Sequence, residues 1–200
     1  MSELKSYVRF TSDNPKLDFS FLYPGDWHLR EVQGDGYDEV AILGPRDKAD
    51  TYSLGVNVRV ISTGRKGGPA NLDEAVTDYR TRNKKSTRFQ ETLQTRGNLA
   101  GLDAIEIEAS YALPLPINTI RAKETPIIER RIFFEKGGSV YEIIYRAIEQ
   151  DYYEYLDAFK DIVRTFRLRA DVNRRMHQPL VAPSSIPMAR EDSTDYQAGE

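Results

Sequence analysis

Two carboxylates on one predicted strand are the first candidates for chemistry. Glu106 and Glu108 lie two residues apart in the alternating run Leu102 to Leu113, so both side chains point to the wetter face of the strand. Paired carboxylates on one face can hold a metal ion or act in acid–base catalysis. Strands also expose such pairs commonly without a catalytic role, and both interpretations stay open.

The other motifs typical of enzymes or metal sites are missing from the sequence. His28 and His177 lie far apart, and no HExxH, Walker-type, GxGxxG or GxSxG motif occurs. The loop Gly64 to Pro69 contains Arg65 and Lys66 but lacks the GK[ST] ending of a phosphate-binding loop. Cysteine is absent, which excludes disulfides, thiolate metal sites and cysteine nucleophiles. We therefore expect no catalytic, cofactor-binding or metal-binding residues, and no enzymatic activity.

A predicted helix carries the one local concentration of positive charge. Asn71 and Glu74 form a capping-box pattern, and the stripe of Leu72, Ala75, Val76 and Tyr79 follows. Five cations stand at the end of this helix: Arg80, Arg82, Lys84, Lys85 and Arg88. They fit a solvated helix end, where cations suit the dipole, or a docking surface for an acidic partner.

Composition limits the remaining classes of function. The chain has 200 residues and a net charge of −3, with 28 basic and 31 acidic residues interleaved. This distribution predicts no binding to nucleic acid. The sequence contains no run of 18 apolar residues, so no transmembrane helix is predicted. The opening Met1 to Ser6 lacks the apolar core of a secretory signal. We expect a cytosolic protein or one whose targeting segment has been lost.

A hairpin followed by a helix is predicted to position the rest of the chain. The runs Ile127 to Glu135 and Ser139 to Ile148 flank a turn at Lys136, Gly137 and Gly138, where glycines supply the positive φ of a tight hairpin. An amphipathic helix follows, with Tyr152, Leu156, Phe159, Ile162, Val163 and Phe166 on one face. We expect this unit to be the centre of a sheet with helices packed against it.

Further strands are predicted on both sides of this unit. They are Tyr7 to Phe10, Leu17 to Tyr23, Trp27 to Val32, Glu39 to Leu43, Ser53 to Val60, Phe89 to Thr95, Leu102 to Leu113 and Arg167 to Arg169. Trp27 is predicted to anchor the core or its rim. Pro114, Pro116 and Pro126 frame a predicted loop. The domain is expected to span residues 1–169, and residues 170–200 are predicted to be a disordered or partner-wrapped tail.

Four stretches together resemble the PsbP-like family, which shares a superfamily with a Ran-binding nuclear-import factor. They are Phe21 to Trp27, Asp50 to Val58, Gly137 to Tyr141 and Thr165 to Leu168. The resemblance covers about Tyr7 to Leu168. It implies an α/β/α sandwich with a central, mainly antiparallel sheet and helices on both faces.

The resemblance also implies a function without catalysis. Photosynthetic members are extrinsic subunits of photosystem II on the lumenal side of the thylakoid, where they help to retain calcium and chloride. The family's histidine in the first strand of the late hairpin is replaced here by the Glu129 to Arg131 region. No metal-binding residue is therefore carried over, and any role in calcium or chloride retention is expected to be indirect.

Three functions remain as hypotheses. The first is an accessory or assembly protein that binds a larger, membrane-associated photosynthetic complex, located in the thylakoid lumen or on the periplasmic side if the chain is a processed form. The second is a small-ligand binder or enzyme with a pocket between the sheet and the 113–126 loop, using Glu106, Glu108 and nearby tyrosines. The third is a cytoplasmic protein-docking domain that uses the basic helix end.

Overall fold

A seven-stranded antiparallel sheet forms the centre of the protein. A computed structural model describes residues 6–64 and 68–169. In chain order, its elements are β1 (Tyr7–Phe10), β2 (Phe19–Pro24), β3 (His28–Gly34), β4 (Tyr37–Arg46), β5 (Ser53–Ser62), α1 (Leu72–Asn83), β6 (Gln90–Leu99), β7 (Leu102–Leu115), β8 (Lys123–Lys136), β9 (Ser139–Ile148), α2 (Glu149–Thr165) and β10 (Arg167–Leu168). The large sheet has the order β3-β4-β5-β9-β8-β7-β6.

The predicted hairpin and helix are confirmed at the middle of this sheet. Strands β8 and β9 pair antiparallel up to Lys136 opposite Ser139, and β9 is the fourth of the seven strands. Gly137 and Gly138 form the turn with φ of +58° and +77°. A side chain at either position would be strained, so the two glycines set the register of the central pair.

Consecutive residues of β8 face opposite sides of the sheet, and each side is covered by one helix. Phe133 packs in the cluster that contains Ala75, Val76 and Tyr79 of α1. Phe134 packs in the cluster that contains Phe159 and Ile162 of α2. Because strand side chains alternate between the faces, α1 and α2 lie on opposite faces of the sheet.

A second, three-stranded sheet packs against α2 and the large sheet. Its order is β1-β2-β10, with Phe19 of β2 opposite Leu168 of β10. Phe166, between α2 and β10, is fully buried and stacks on Phe19 with ring centroids 5.3 Å apart. It also meets Phe134 of the large sheet edge-on at 5.7 Å. These aromatic contacts join the two sheets, with the core between them.

The predicted fold class is confirmed in its sheet and corrected in its helical layers. The sheet is mainly antiparallel, as expected. The described residues hold two helices, of 12 and 17 residues, while the longest strands have 14. The fold is therefore rich in β-structure rather than a full α/β/α sandwich, since each face carries a single helix.

Two predicted loops are shorter than the sequence suggested. Residues 96–101 connect the predicted strands Phe89 to Thr95 and Leu102 to Leu113, but the actual connection is a turn at Ala100 and Gly101, both with positive φ, so β6 continues to Leu99. The predicted proline-framed loop shrinks to residues 116–122, because Pro114 pairs with Glu124 and Pro126 pairs with Ala112. Pro114 of β7 lies beyond the end of β6, and Pro126 of β8 lies beyond the end of β9. A proline is tolerated there because the strand has a neighbour on one side only.

Several predictions fall on residues outside the described ranges. They concern Arg65 and Lys66 of the glycine-rich loop, His177 and the tail at 170–200, and they stay predictions. Trp27 is 6% exposed, which confirms its place in the core. No helix of the described ranges is long and apolar enough to cross a membrane.

Candidate functional site

The paired carboxylates of β7 have separate partners. Glu106 accepts a hydrogen bond from Arg130 Nε. Glu108 accepts one from the Tyr152 hydroxyl at 2.8 Å and a longer one from Thr92. In residues 6–64 and 68–169, no group of three or more histidine, aspartate or glutamate side chains could hold a metal ion. Glu106 and Glu108 thus fix neighbouring strands and α2, which favours the structural interpretation of this pair.

The basic end of α1, defined as Arg80, Arg82, Lys84, Lys85 and Arg88, follows a well-capped helix. Asn71 Oδ1 accepts from the Glu74 amide at 2.9 Å, which confirms the predicted N-cap. Glu74 reaches back to the amide of Ala70 instead of Asn71. At the other end of the helix, the cap is Lys84, whose amide bonds to the carbonyl of Arg80.

Two of these five cations are neutralised by neighbouring strands. Arg80 donates two hydrogen bonds to Glu91 of β6, at 2.9 and 2.6 Å. Arg88 lies 3.3 Å from Glu124 at the start of β8. All five residues are neighbours in the sequence, but the sheet supplies carboxylates only to the first and the last of them.

The other three cations face solvent. Arg82, Lys84 and Lys85 are exposed, and within the described ranges no carboxylate lies within ion-pair distance of them. Arg82 Nε donates weakly to the carbonyl of Asp78, one turn earlier in its own helix. This part of the basic end is therefore available to an external anion.

A ladder of alternating charges crosses the sheet beneath α1, and the sequence analysis did not identify it. Register places Glu39 of β4 opposite Arg59 of β5, and Arg59 opposite Glu142 of β9. Arg59 Nη2 lies 2.6 Å from Glu39, and its Nη1 lies 3.8 Å from Glu142. Arg131 of β8 donates to Glu142 at 2.9 Å. Neighbouring charges in this ladder neutralise one another.

Glu129 ends this ladder as its most constrained carboxylate. It is 2% exposed and accepts from Arg131 Nε at 2.9 Å. It also accepts two hydrogen bonds from Arg146, at 2.9 and 2.6 Å, and one from the Tyr111 hydroxyl at 3.2 Å. The Tyr79 ring of α1 stacks on the Arg131 guanidinium at 4.5 Å. The helix thus covers the Arg131 side of the ladder.

The pKa values of this network follow from burial and charge. Burial alone would raise the pKa of Glu129, but the guanidinium groups of Arg131 and Arg146 lower it to about 2. Burial, followed by the negative charge of Glu129, raises the pKa of the Tyr79 and Tyr111 hydroxyls. Near neutral pH these groups hold fixed charge states, as groups in a structural network do, whereas an acid–base catalyst needs a pKa near the working pH.

Among the clefts lined by the described residues, three lie around the sheet. A polar cleft of about 570 Å³ lies between α1 and strands β4 and β5, with Glu142 in its lining. A groove of about 320 Å³ separates α2 from β6, and a cleft of about 360 Å³ lies below the 116–122 loop. Glu106 and Glu108 do not line the cleft below the loop. The hypothesis that these two carboxylates serve a pocket between the sheet and the loop is therefore wrong. They face α2 because the strand alternation turns them away from the loop.

Comparisons with known proteins place the fold. No family model matches the sequence, and no curated protein matches it. The solution structure of cyanobacterial PsbP (CyanoP) from Synechocystis sp. PCC 6803 aligns with a TM-score of 0.51 at 14% identity, over 82% of this chain and 94% of that one. The Ran-binding protein Mog1p of Saccharomyces cerevisiae aligns with a TM-score of 0.50 at 10% identity, over 82% and 96%.

These alignments confirm the predicted resemblance at the level of fold. The chain has the fold shared by PsbP and Mog1 proteins. At 10–14% identity the likeness is one of architecture, and the surface residues must be interpreted from this chain alone.

Proposed function

We propose that this PsbP/Mog1-like domain is a non-catalytic accessory module, which binds a larger protein complex through the basic end of α1. One observation carries the proposal. Arg82, Lys84 and Lys85 are exposed and have no carboxylate partner in the described ranges, whereas the cations of the charge ladder are all paired. Exposed charges of one sign attract an oppositely charged partner and orient its approach.

The chemistry of the partner follows from this arrangement. A cationic helix end fits an acidic protein segment, because carboxylates can reach Arg82 and Lys84 without displacing an existing ion pair. The contact is electrostatic and exposed, so its strength should fall as salt is added. The buried charges beneath α1 support the helix and are not expected to contact the partner.

Charge reversal at the basic end tests this proposal. The double variant Arg82→Glu with Lys84→Glu should bind a fluorescein-labelled oligoglutamate peptide about tenfold more weakly than the wild type, measured by fluorescence anisotropy at low salt. The matched control reverses Arg30 and Lys48, two exposed cations away from α1. Equal loss of binding in the two double variants, or no loss in either, would contradict the proposal.

The finer proposal concerns the identity of the partner. A photosystem II-type complex is the partner that the family resemblance puts first, with the domain on the lumenal side of the thylakoid and an indirect role in calcium and chloride retention. Pull-down from native photosynthetic membranes should recover photosynthetic subunits with the wild type and fewer with the Arg82→Glu, Lys84→Glu variant. Recovery of none with the wild type would remove this partner and leave the electrostatic proposal to be judged on its own test.

A further inference from the structure

A second surface lies on the α2 face of the sheet, on the side away from α1. The groove between α2 and β6 has a volume of about 320 Å³. Its apolar lining consists of Leu99, Ala104, Ile132, Phe159 and Val163. The volume is at the lower end of ligand pockets, which span about 300–1,000 Å³, and suits a few apolar side chains.

The groove is open because β6 carries a glycine on this face. Gly97 lies opposite Ala104, and Thr95 lies opposite Glu106, so residues 95, 97 and 99 face the groove together with their partners. A Cβ atom added at Gly97 would meet nothing within 4 Å. A side chain there is therefore not blocked at its Cβ atom and would extend into the groove.

The charged residues that line the groove are mostly cations. Arg130 lies at its floor, paired with Glu106, and Lys160 and Arg164 stand on the α2 rim. The two rim side chains are 57% and 77% exposed and have one intrahelical partner each, Asp157 and Asp161. Neither aspartate lines the groove. An entering segment therefore meets an apolar lining, the Arg130–Glu106 pair, and two exposed rim cations whose carboxylate partners stand outside the lining.

We propose that this groove binds a short acidic segment of a partner protein through leucine-sized side chains. The apolar lining takes up those side chains, and Lys160 and Arg164 attract the flanking carboxylates. The site goes beyond the proposed function, because it lies on the opposite face of the sheet from the basic end of α1 and combines apolar burial with charge.

Two labelled peptides of equal length test the groove on the full-length protein. One peptide is all glutamate, and the other has two leucines in the same glutamate background. We expect the wild type to bind the leucine peptide at least about tenfold more tightly than the glutamate peptide. Gly97→Leu should abolish this preference, whereas Gly97→Ala, which leaves the groove open, should retain it.

Independent variants separate this proposal from the first one. Lys160→Glu with Arg164→Glu should weaken binding of the leucine peptide about tenfold. The Arg82→Glu, Lys84→Glu variant should leave the preference for leucine intact. Circular dichroism establishes that each variant is folded. The proposal is overturned if the wild type shows no preference, if Gly97→Leu retains it, or if sedimentation shows that a second copy of the chain occupies the groove.

Discussion

Replacing Glu129 by glutamine is expected to lower the free energy of unfolding by about 3–5 kcal/mol. Glu129 is 2% exposed and neutralises both Arg131 and Arg146. Glutamine has nearly the same shape but no charge, so the variant leaves Arg146 without a carboxylate and the buried Arg131 with Glu142 alone. Urea unfolding at neutral pH measures the loss. The control variant is Glu91→Gln, which breaks the partly exposed ion pair with Arg80. It should lower the free energy of unfolding by only about 0.2–1 kcal/mol.

The pH dependence of this variant separates charge from shape. The pKa of Glu129 is lowered from its ordinary value of 4.5 to about 2 in the folded protein. Since the unfolded chain takes up the proton first, the stabilisation is complete above pH 4.5 and is lost as the pH falls through about 2. The shift corresponds to about 3 kcal/mol. The stability difference between wild type and Glu129→Gln should therefore shrink as the pH falls across this range, and a constant difference would contradict the electrostatic explanation.

Replacing Phe166 by alanine is expected to lower the free energy of unfolding by about 3–5 kcal/mol through a different mechanism. The ring is fully buried and lies 5.3 Å from the Phe19 ring and 5.7 Å from the Phe134 ring, between centroids. Its removal leaves a cavity where the small sheet, α2 and the large sheet meet. Thermal and urea unfolding measure the change.

A surface residue provides the control for Phe166. Ile120 lies in the 116–122 loop and is fully exposed, so Ile120→Ala should change stability by less than about 0.5 kcal/mol. If Phe166→Ala costs no more than Ile120→Ala, the aromatic cluster does not hold the two sheets together.

Local signals predicted the elements that need no distant partner. Gly137 and Gly138 specify a tight hairpin, and Asn71 specifies a helix start, because each acts on backbone atoms within a few residues. The loops were less predictable. Ala100 has a positive φ, which residues other than glycine adopt infrequently, so the β6–β7 turn had no strong signal at that position.

The charge ladder could have been found in part from the sequence. A two-residue turn at Gly137 and Gly138 fixes the register of β8 and β9, and that register puts Glu129 opposite Arg146. Opposite charges at paired positions indicate a cross-strand ion pair. Its burial was not predictable in the same way, because alternating charges on a strand usually indicate a solvent-facing side, and here α1 covers that side.

The sequence shows the five cations of the basic end of α1, but it does not show which of them have a carboxylate partner in the fold. Arg80 and Arg88 are neutralised by Glu91 and Glu124, and the second of these pairings joins residues far apart in the chain. The α2 groove had even less signal. Lys160 and Arg164 lie outside the apolar face predicted for α2, and Gly97 lies between the predicted strands Phe89 to Thr95 and Leu102 to Leu113.

Mapping the oligoglutamate peptide onto the protein by NMR tests the central proposal most directly. We expect backbone amide shifts to change at Arg82, Lys84 and Lys85, and the changes to diminish as salt is added. Shift changes confined to the groove between α2 and β6, or spread evenly over exposed cations such as Arg30 and Lys48, would contradict it.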